Sequence, residues 1–261
     1  MKNNIKKTIL FFATASLSLT SCAKPMLSKV TAFQCDTFFE YCDYEEGKIA
    51  NELKEKVDEL ENIFHPQREG SDLYRLNTYR TGTFSKDFIN CLREALAIKE
   101  ETNGYYNPFM GKLSNEWKCF LDERRFDPLS KDEINYYLDE INSTSVTILA
   151  DTVTITGDAD IDLGGICKGY IIDCLHEYVK EKTDHYLVNG GASSVLFGKK
   201  PSDKEEEEFF TASLIGGEYT LLAKDTTLST SGVSEQYRIY DNKMYSHLIN
   251  PKTGSAVVGA T

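Results

Sequence analysis

The chain is poor in the groups that would hold a polyanion across its surface. It carries 29 Lys and Arg against 41 Asp and Glu, for a formal net charge of −12. That balance argues against non-specific binding of nucleic acid or anionic lipid through the bulk surface. An anionic ligand would therefore need a local positive patch or a metal. Tryptophan occurs once, and only six prolines are spread over 261 residues, with no proline- or glycine-rich linker and no internal repeat to divide the chain. No CxxC and no Cys/His zinc spacing is present, which removes a structural zinc site from consideration. No Ser-His-Asp spacing or paired-carboxylate motif competes for the chemistry. The N-terminal apolar run, Thr8 to Leu19, is too short to span a bilayer as a helix.

A hydrophobic content of 41% and a charged content of 27% are ordinary for a globular protein with a sizeable core. Lys2, Lys6 and Lys7, the apolar run and then Thr20-Ser21-Cys22 make a secretory signal. Its end resembles the bacterial lipoprotein box, in which Cys22 becomes the lipidated first residue, so residues 1–22 are not fold. Residues 23–29 form a short polar tether and residues 30–261 a single domain. The mature body is expected outside the cytoplasmic membrane, anchored to it by lipid. Six cysteines follow Cys22: Cys35, Cys42, Cys91, Cys119, Cys167 and Cys174. Cys167 and Cys174 lie about 10 Å apart along one expected helix, too far to bridge. Most of the six are expected to be small buried apolar residues, and no disulfide is expected.

Along the chain, residues 30–44 are aromatic, β-branched and alternating, the pattern of a strand. Ile49, Leu53, Val57, Leu60 and Phe64 recur at helical steps and mark an amphipathic helix over 45–64, ended by His65-Pro66. Residues 70–77 read as a turn and a short element, and Ser85 caps a helix to about residue 101. Residues 104–113, GYYNPFMGKL, read as a loop punctuated by glycine and proline. Ser130-Lys131-Asp132-Glu133 is a capping box opening a helix to about residue 141. A hairpin over 145–156 pivots on Ala150-Asp151, a helix runs from about 166 to 182, and a strand over 186–197 is broken at Asn189-Gly190-Gly191. Residues 199–208 are a charged loop. Strands are expected over 218–224, 235–240 and 244–250, with a Pro-Lys-Thr-Gly turn at the end.

The stretch from Asp158 to Gly191 organises the rest. Asp162, Gly164, Gly165 and Lys168 place a carboxylate, bare backbone and an ammonium within two helical turns, at a helix N-terminus whose dipole favours anions. Those groups can handle a phosphorylated ligand and its metal ion, although a buried β-turn-α junction has the same pattern. Thr230, Ser231 and Gly232 can donate to phosphate oxygens or cap their own loop. His247, one of four histidines, stands near a strand end, where a histidine can be a base or simply structural.

Taken together these elements resemble one family. Asp162-Leu163-Gly164-Gly165-Ile166-Cys167-Lys168-Gly169 resembles the DLGGIAKG motif of the ApbE-type FAD:protein FMN transferases. Thr230-Ser231-Gly232 and the run His247 to Gly254 resemble that family's TSG and HxxDPxTG motifs, in the same order, and Asn189 to Ala192 fits its NxGG loosely. Upstream, Asp36-Thr37 resembles its M-D/G-T segment, Ser71 to Asn77 its S-x-x-x-R-x-N element, and Gly104 to Leu113 its GxFDPTxGPL loop. The resemblance runs over about residues 33–258, and a lipoprotein start is usual in the family.

It implies an α+β fold related to the tunnelling fold, built from mostly antiparallel sheet with packed helices. It also implies FAD as substrate, a magnesium ion, and transfer of FMN to a threonine or serine hydroxyl of an exported protein. Asp162 and Lys168 would contact FAD, with Thr230 and Ser231 at its phosphates, and the Gly165 carbonyl would be a metal ligand. Tyr105, Tyr106, Asn107, Cys35 and Leu248 would line the flavin site, and His247 would be the base for the acceptor hydroxyl. Hydrolysis of FAD to FMN and AMP, or flavin binding without catalysis, are the rival expectations. The family has Met, Asp and Asp where Cys35, Asn107 and Asn250 stand, so two negative charges are missing. Its pattern also continues past DPxTG into a strand and helix with an Asp and a Thr that ligate magnesium. The sequence stops at Thr261 before that segment, so either it is a truncated product or fragment or its activity is impaired, and weaker metal binding and lower stability are expected for the chain as given.

Overall fold

The computed structural model describes residues 26–191, 194–213, 219–232 and 236–259. The expected signal segment with Cys22, Ala192 of the glycine-rich element, and Glu218 and Glu235 at the starts of two expected strands lie outside the described residues.

Residues 30–44, expected as one strand, form two: β1 (Ser28–Gln34) and β2 (Thr37–Asp43). They pair antiparallel from Ser28 opposite Asp43 to Gln34 opposite Thr37. Between them Cys35 and Asp36 both adopt left-handed backbone, with φ of 52° and 59°. A two-residue type I′ hairpin turn requires that of both central residues. The turn lacks the usual Asn-Gly, so uninterrupted β-propensity hides it.

Helix α1 (Lys48–Phe64) starts three residues later than expected, and no side chain of its own caps it. The fully buried Asp43 does so from the end of β2. One carboxylate oxygen accepts the Glu45 and Gly47 amides at 3.0 and 2.8 Å, and the other accepts the Ala50 amide at 2.6 Å. Amide donors that a helix start leaves orphaned are thereby satisfied. Helix α2 (Asp72–Tyr79) is capped by Ser71, and β3 (Thr81–Thr83) leads to α3 (Lys86–Glu101), capped by Ser85.

The expected loop over 104–113 is only half a loop. Pro108–Met110 makes a 3-10 turn that runs into α4 (Gly111–Leu121). Pro108 stands where a helix start tolerates proline, so punctuation that looks like a loop opens a helix. Helix α5 (Lys131–Ser143) has the expected capping box between Ser130 and Glu133. The hairpin β4 (Ser145–Leu149) and β5 (Thr152–Thr156) turns at Ala150 and Asp151, and β3 joins its edge.

Helix α6 (Cys167–Val179) stops three residues short of Lys182. The break expected in residues 186–197 separates β6 (Tyr186–Gly190) from β7 (Ser194–Phe197). The charged run contains a 3-10 turn at Glu205–Glu207. It is followed by β8 (Phe210–Ser213), β9 (Thr220–Ala223), β10 (Thr226–Ser229), β11 (Tyr237–Tyr240), β12 (Lys243–Ile249) and β13 (Ala256–Gly259).

The architecture is α+β with antiparallel pairing throughout the described strands. A five-stranded sheet runs β1-β2-β6-β7-β10, and three smaller sheets run β11-β12-β13, β3-β5-β4 and β8-β9. Helices α1 and α6 pack together on the large sheet, and α4 packs on β11 and β12. One continuous apolar core joins them, with Leu53, Leu60, Phe88, Leu92, Phe120 and Leu175 fully enclosed. Of the six cysteines only Cys42 and Cys91 are buried; the other four are half-buried, and all six are free thiols. No helix among the described residues is long and apolar enough to cross a membrane.

Candidate functional site

One end of the five-stranded sheet collects several of the sequence motifs. The Cys35–Asp36 turn caps β1 and β2, and β6 ends there with Gly190 opposite Phe39. Gly191 lies so close to Thr37 that a Cβ would collide with its side chain, and its φ of 68° suits glycine. β7 begins at the same end with Ser194 opposite Ser229, their hydroxyls 3.2 Å apart. Thr230 and Ser231 therefore leave the sheet here, both exposed. From β2 to β10 is three strand spacings, roughly 14 Å, a span suited to an extended ligand rather than a compact one.

Helix α6 brings Lys168 to this end. The Cys35 amide donates to Glu61 at 3.2 Å. Burial, reinforced by the Glu61 charge and opposed by Lys168, pushes the Cys35 thiol up to about 12. Burial likewise raises the Cys167 thiol. A raised pKa disfavours the thiolate at both positions, the opposite of what a nucleophilic cysteine needs. Among the described residues no hydrogen bond or ion pair ties up Lys168, and no side chain caps α6. An uncapped helix start beside a free ammonium is an anion-favouring arrangement.

The segment between β5 and α6 has no sheet partner, yet its backbone groups are widely paired. The Arg80 guanidinium donates to the Gly157 and Ala159 carbonyls at 2.7 Å each and to Asp160 at 3.0 Å. Thr144 accepts the Ala159 amide at 3.0 Å, and the Asp160 carbonyl accepts the Gly111 amide at 2.9 Å. The Asn77 carboxamide holds both the amide and the carbonyl of Ile161, at 2.8 and 2.9 Å. The Asp162 amide donates to the Pro108 carbonyl at 2.7 Å. Ala159, Ile161 and Leu163 are buried by this alternation, and Asp162 turns the other way and accepts the Gly164 amide at 2.8 Å. Gly164 and Gly165 stand exposed.

Tyr106 lies beside Gly165, whose Cβ position is 3.1 Å from the Tyr106 ring edge. Among the described residues its buried hydroxyl has no hydrogen-bond partner, and burial first, then the Asp162 charge, raises its pKa. Asn107 spends its side-chain oxygen on the Phe109 amide, at 3.1 Å. Asn250 does the same for Lys252, at 2.9 Å. At both positions the structure uses an acceptor oxygen that Asp or Asn supplies equally, so the missing charges leave the turns intact.

His247 is on β12, with its amide donating to the Gln236 carbonyl at 3.0 Å and its Nδ1 3.2 Å from the same oxygen. Because a carbonyl only accepts, this contact assigns the hydrogen of the neutral ring to Nδ1 and leaves Nε2 as its acceptor. Leu248 is exposed beside it. The turn after β12 reaches the aromatic loop through Lys252, whose ammonium is 5.7 Å from the centre of the Tyr105 ring. Trp117 anchors the same turn by donating to the Gly254 carbonyl at 2.8 Å. Among the described residues no hydrogen bond joins His247 to Asp162 or Lys168.

The residues suit a phosphorylated ligand: a free lysine, an uncapped helix start, and a Gly165 carbonyl that accepts no hydrogen bond among the described residues. The fit to magnesium is partial. No cluster of three or more His, Cys, Asp or Glu able to hold a metal occurs among the described residues. Magnesium commonly takes only one or two protein groups, with waters and substrate phosphates completing its shell. Asn77 sat in a motif that gave it no role, and Arg80 and Asp43 were not singled out by sequence at all. Behind the clamped segment a cleft of about 300 Å³ opens between Asn77, Arg80, Lys112, Gly157, Asp158 and Asp160.

The ApbE family model matches residues 28–261. A Chlamydia muridarum protein named FAD:protein FMN transferase is 24% identical over 212 residues, covering 79% of this chain and 65% of the relative. Its Chlamydia pneumoniae namesake is 25% identical over 203 residues, covering 76% and 62%. The matched chain thus spans less than two thirds of the length of these curated relatives. The crystal structure of the ApbE protein from Thermotoga maritima superposes with a TM-score of 0.74 at 19% identity, covering 89% of this chain and 79% of that one. The apo flavinyl transferase ApbE of Pseudomonas stutzeri gives 0.77 at 16%, covering 91% and 78%. These likenesses establish the shared fold.

Proposed function

The chain belongs to the ApbE family, and from that premise we propose that it transfers FMN from FAD to a threonine or serine hydroxyl of an exported protein. The observation that carries the reading is the convergence described above. An exposed Gly164–Gly165 turn leads into the helix that brings the free Lys168 beside the Cys35 hairpin, Thr230 and Ser231 leave the same sheet end roughly 14 Å across it, and the aromatic loop packs against Gly165.

In this reading Lys168 and the α6 start hold the diphosphate of FAD, and Tyr105, Tyr106, Asn107, Cys35 and Leu248 border the flavin. His247 takes the proton of the acceptor hydroxyl at Nε2, the nitrogen its Gln236 contact leaves free. The hydroxyl oxygen bonds to the FMN phosphorus as the bond from that phosphorus to the bridging oxygen breaks, and AMP leaves with that oxygen. Such a reaction depends on placement and charge neutralisation more than on covalent help from the protein. Magnesium, held in part by the Gly165 carbonyl and otherwise by waters and phosphates, would supply further neutralisation. The leader sequence supports a location on the extracytoplasmic face, tethered through Cys22.

The test is to incubate the purified chain with FAD, Mg²⁺ and an exported protein carrying a candidate threonine. Covalent flavin fluorescence on that protein in a denaturing gel is the expected result. AMP release without labelling would make the chain a hydrolase. Intact, retained FAD with neither product would make it a flavin-binding protein and overturn the transfer reading.

A further inference from the structure

The segment that presents Asp162 and Gly165 is not held by a sheet, and most of its side-chain hydrogen bonds come from two residues at the end of α2. Asn77 closes two hydrogen bonds on Ile161, one donated and one accepted, across 84 residues of sequence. Arg80 donates to two carbonyls and a carboxylate of the same segment, and the Asn77 carbonyl accepts from it at 3.4 Å. A carboxamide bonded to both the amide and the carbonyl of one residue fixes the orientation of that residue's peptide groups. Because side chains alternate along extended backbone, fixing Ile161 inward fixes Asp162 outward. The Pro108 carbonyl takes the Asp162 amide from the opposite side, so the residue is gripped between α2 and the aromatic loop.

We propose that Asn77 and Arg80 are positioning residues that aim the Asp162–Gly165 turn at the ligand. The inference rests on the flavin-binding part of the function proposed above. Asn77 sets the angle at Ile161, next to the turn, and Arg80 sets the path that leads to it. Thr144 serves as an internal comparison: it holds the same segment at Ala159, farther from the turn.

The experiment compares FAD affinity, by quenching of flavin fluorescence, and thermal stability for Asn77→Ala, Arg80→Met, Thr144→Val and the parent chain. All three variants are expected to lower Tm. Asn77→Ala is expected to weaken FAD binding by about tenfold or more and Arg80→Met by less, with Thr144→Val within twofold of the parent. Hydrogen exchange at the amides of residues 162–166 is expected to accelerate in Asn77→Ala and not in Thr144→Val. FAD affinity unchanged in Asn77→Ala would overturn the proposal, as would a loss in Thr144→Val matching its Tm loss. A parent chain that binds no FAD would sink the flavin reading instead, and the exchange pattern would then decide whether the clamp sets the turn.

Discussion

The Lys252 ammonium lies 5.7 Å from the centre of the Tyr105 ring, and it joins two stretches separated by almost 150 residues. Through this contact the turn that follows the His247 strand is seated on the aromatic loop. Tyr105 is largely exposed, at 68%, so a cation–π pair here contributes roughly 0.5–1 kcal/mol. Lys252→Met keeps the apolar stem and removes the charge. The expected outcome is a small drop in urea midpoint with weaker FAD binding. Tyr105→Leu should reproduce it, and the double variant should add little to either. Fully additive losses in the double-mutant cycle would show that the two residues are not coupled.

His247→Ala separates binding from chemistry. If Nε2 takes the acceptor proton, transfer should fall by ~10²–10⁴-fold, the range for loss of a general base, while FAD affinity stays near that of the parent. Single-turnover labelling at saturating FAD measures the first and fluorescence quenching the second. Undiminished transfer would remove His247 from the mechanism.

The helices α1, α3 and α5 and the β4–β5 hairpin were legible in the sequence because their signals are local. Ile49, Leu53, Val57 and Leu60 repeat at helical spacing, Ser130 and Glu133 form their box within one turn, and Ala150-Asp151 interrupts two β-rich runs. What escaped depends on partners distant in sequence or on unusual backbone. Cys35 and Asp36 form a hairpin turn without glycine or asparagine. Asp43 looks like one more acidic residue after a strand, but it is fully buried and caps the next helix with three hydrogen bonds. The motif residues of the site were visible one by one. The location of Cys35, Lys168, Thr230 and Ser231 at one sheet end, and the hold of Asn77 and Arg80 on the segment before Asp162, are properties of strand order and tertiary packing, which no local pattern encodes.

The capping box gives a pH dependence with a definite sign. Hydrogen bonds from the Ser130 hydroxyl and amide, and then Arg125, lower the Glu133 pKa from 4.5 to about 2. A carboxyl with a lowered folded-state pKa adds stability that is present above about 4.5 and lost as pH falls toward about 2. Glu133 is partly solvent-exposed, so screening keeps the effect small, about 0.5–1 kcal/mol. Glu133→Gln should therefore be less stable than the parent at pH 7, with the gap in urea midpoint shrinking between pH 4.5 and 2.5. A gap that stayed constant over that interval would mean the charge of Glu133 contributes nothing.

Gly254 tests how the His247 strand is held. Its φ of 66° lies in the left-handed region, and a Cβ there would sit 2.6 Å from the Ile134 side chain and 3.3 Å from Leu113 and Leu138. Its carbonyl also takes the buried Trp117 indole hydrogen. Gly254→Ala combines left-handed strain of about 1–2 kcal/mol with overpacking of about 1–3 kcal/mol, for an expected loss of about 2–5 kcal/mol in urea unfolding. Trp117→Phe keeps most of the packing and leaves the Gly254 carbonyl unpaired, an expected cost of about 1–3 kcal/mol. Because the turn carries Lys252 and follows the His247 strand, both variants should also lower transfer more than they lower FAD affinity if FAD is held mainly at α6 and His247 is the acceptor base. Equal losses in the two readouts would mean that this turn supports FAD binding itself, and the division of labour between α6 and β12 would have to be redrawn.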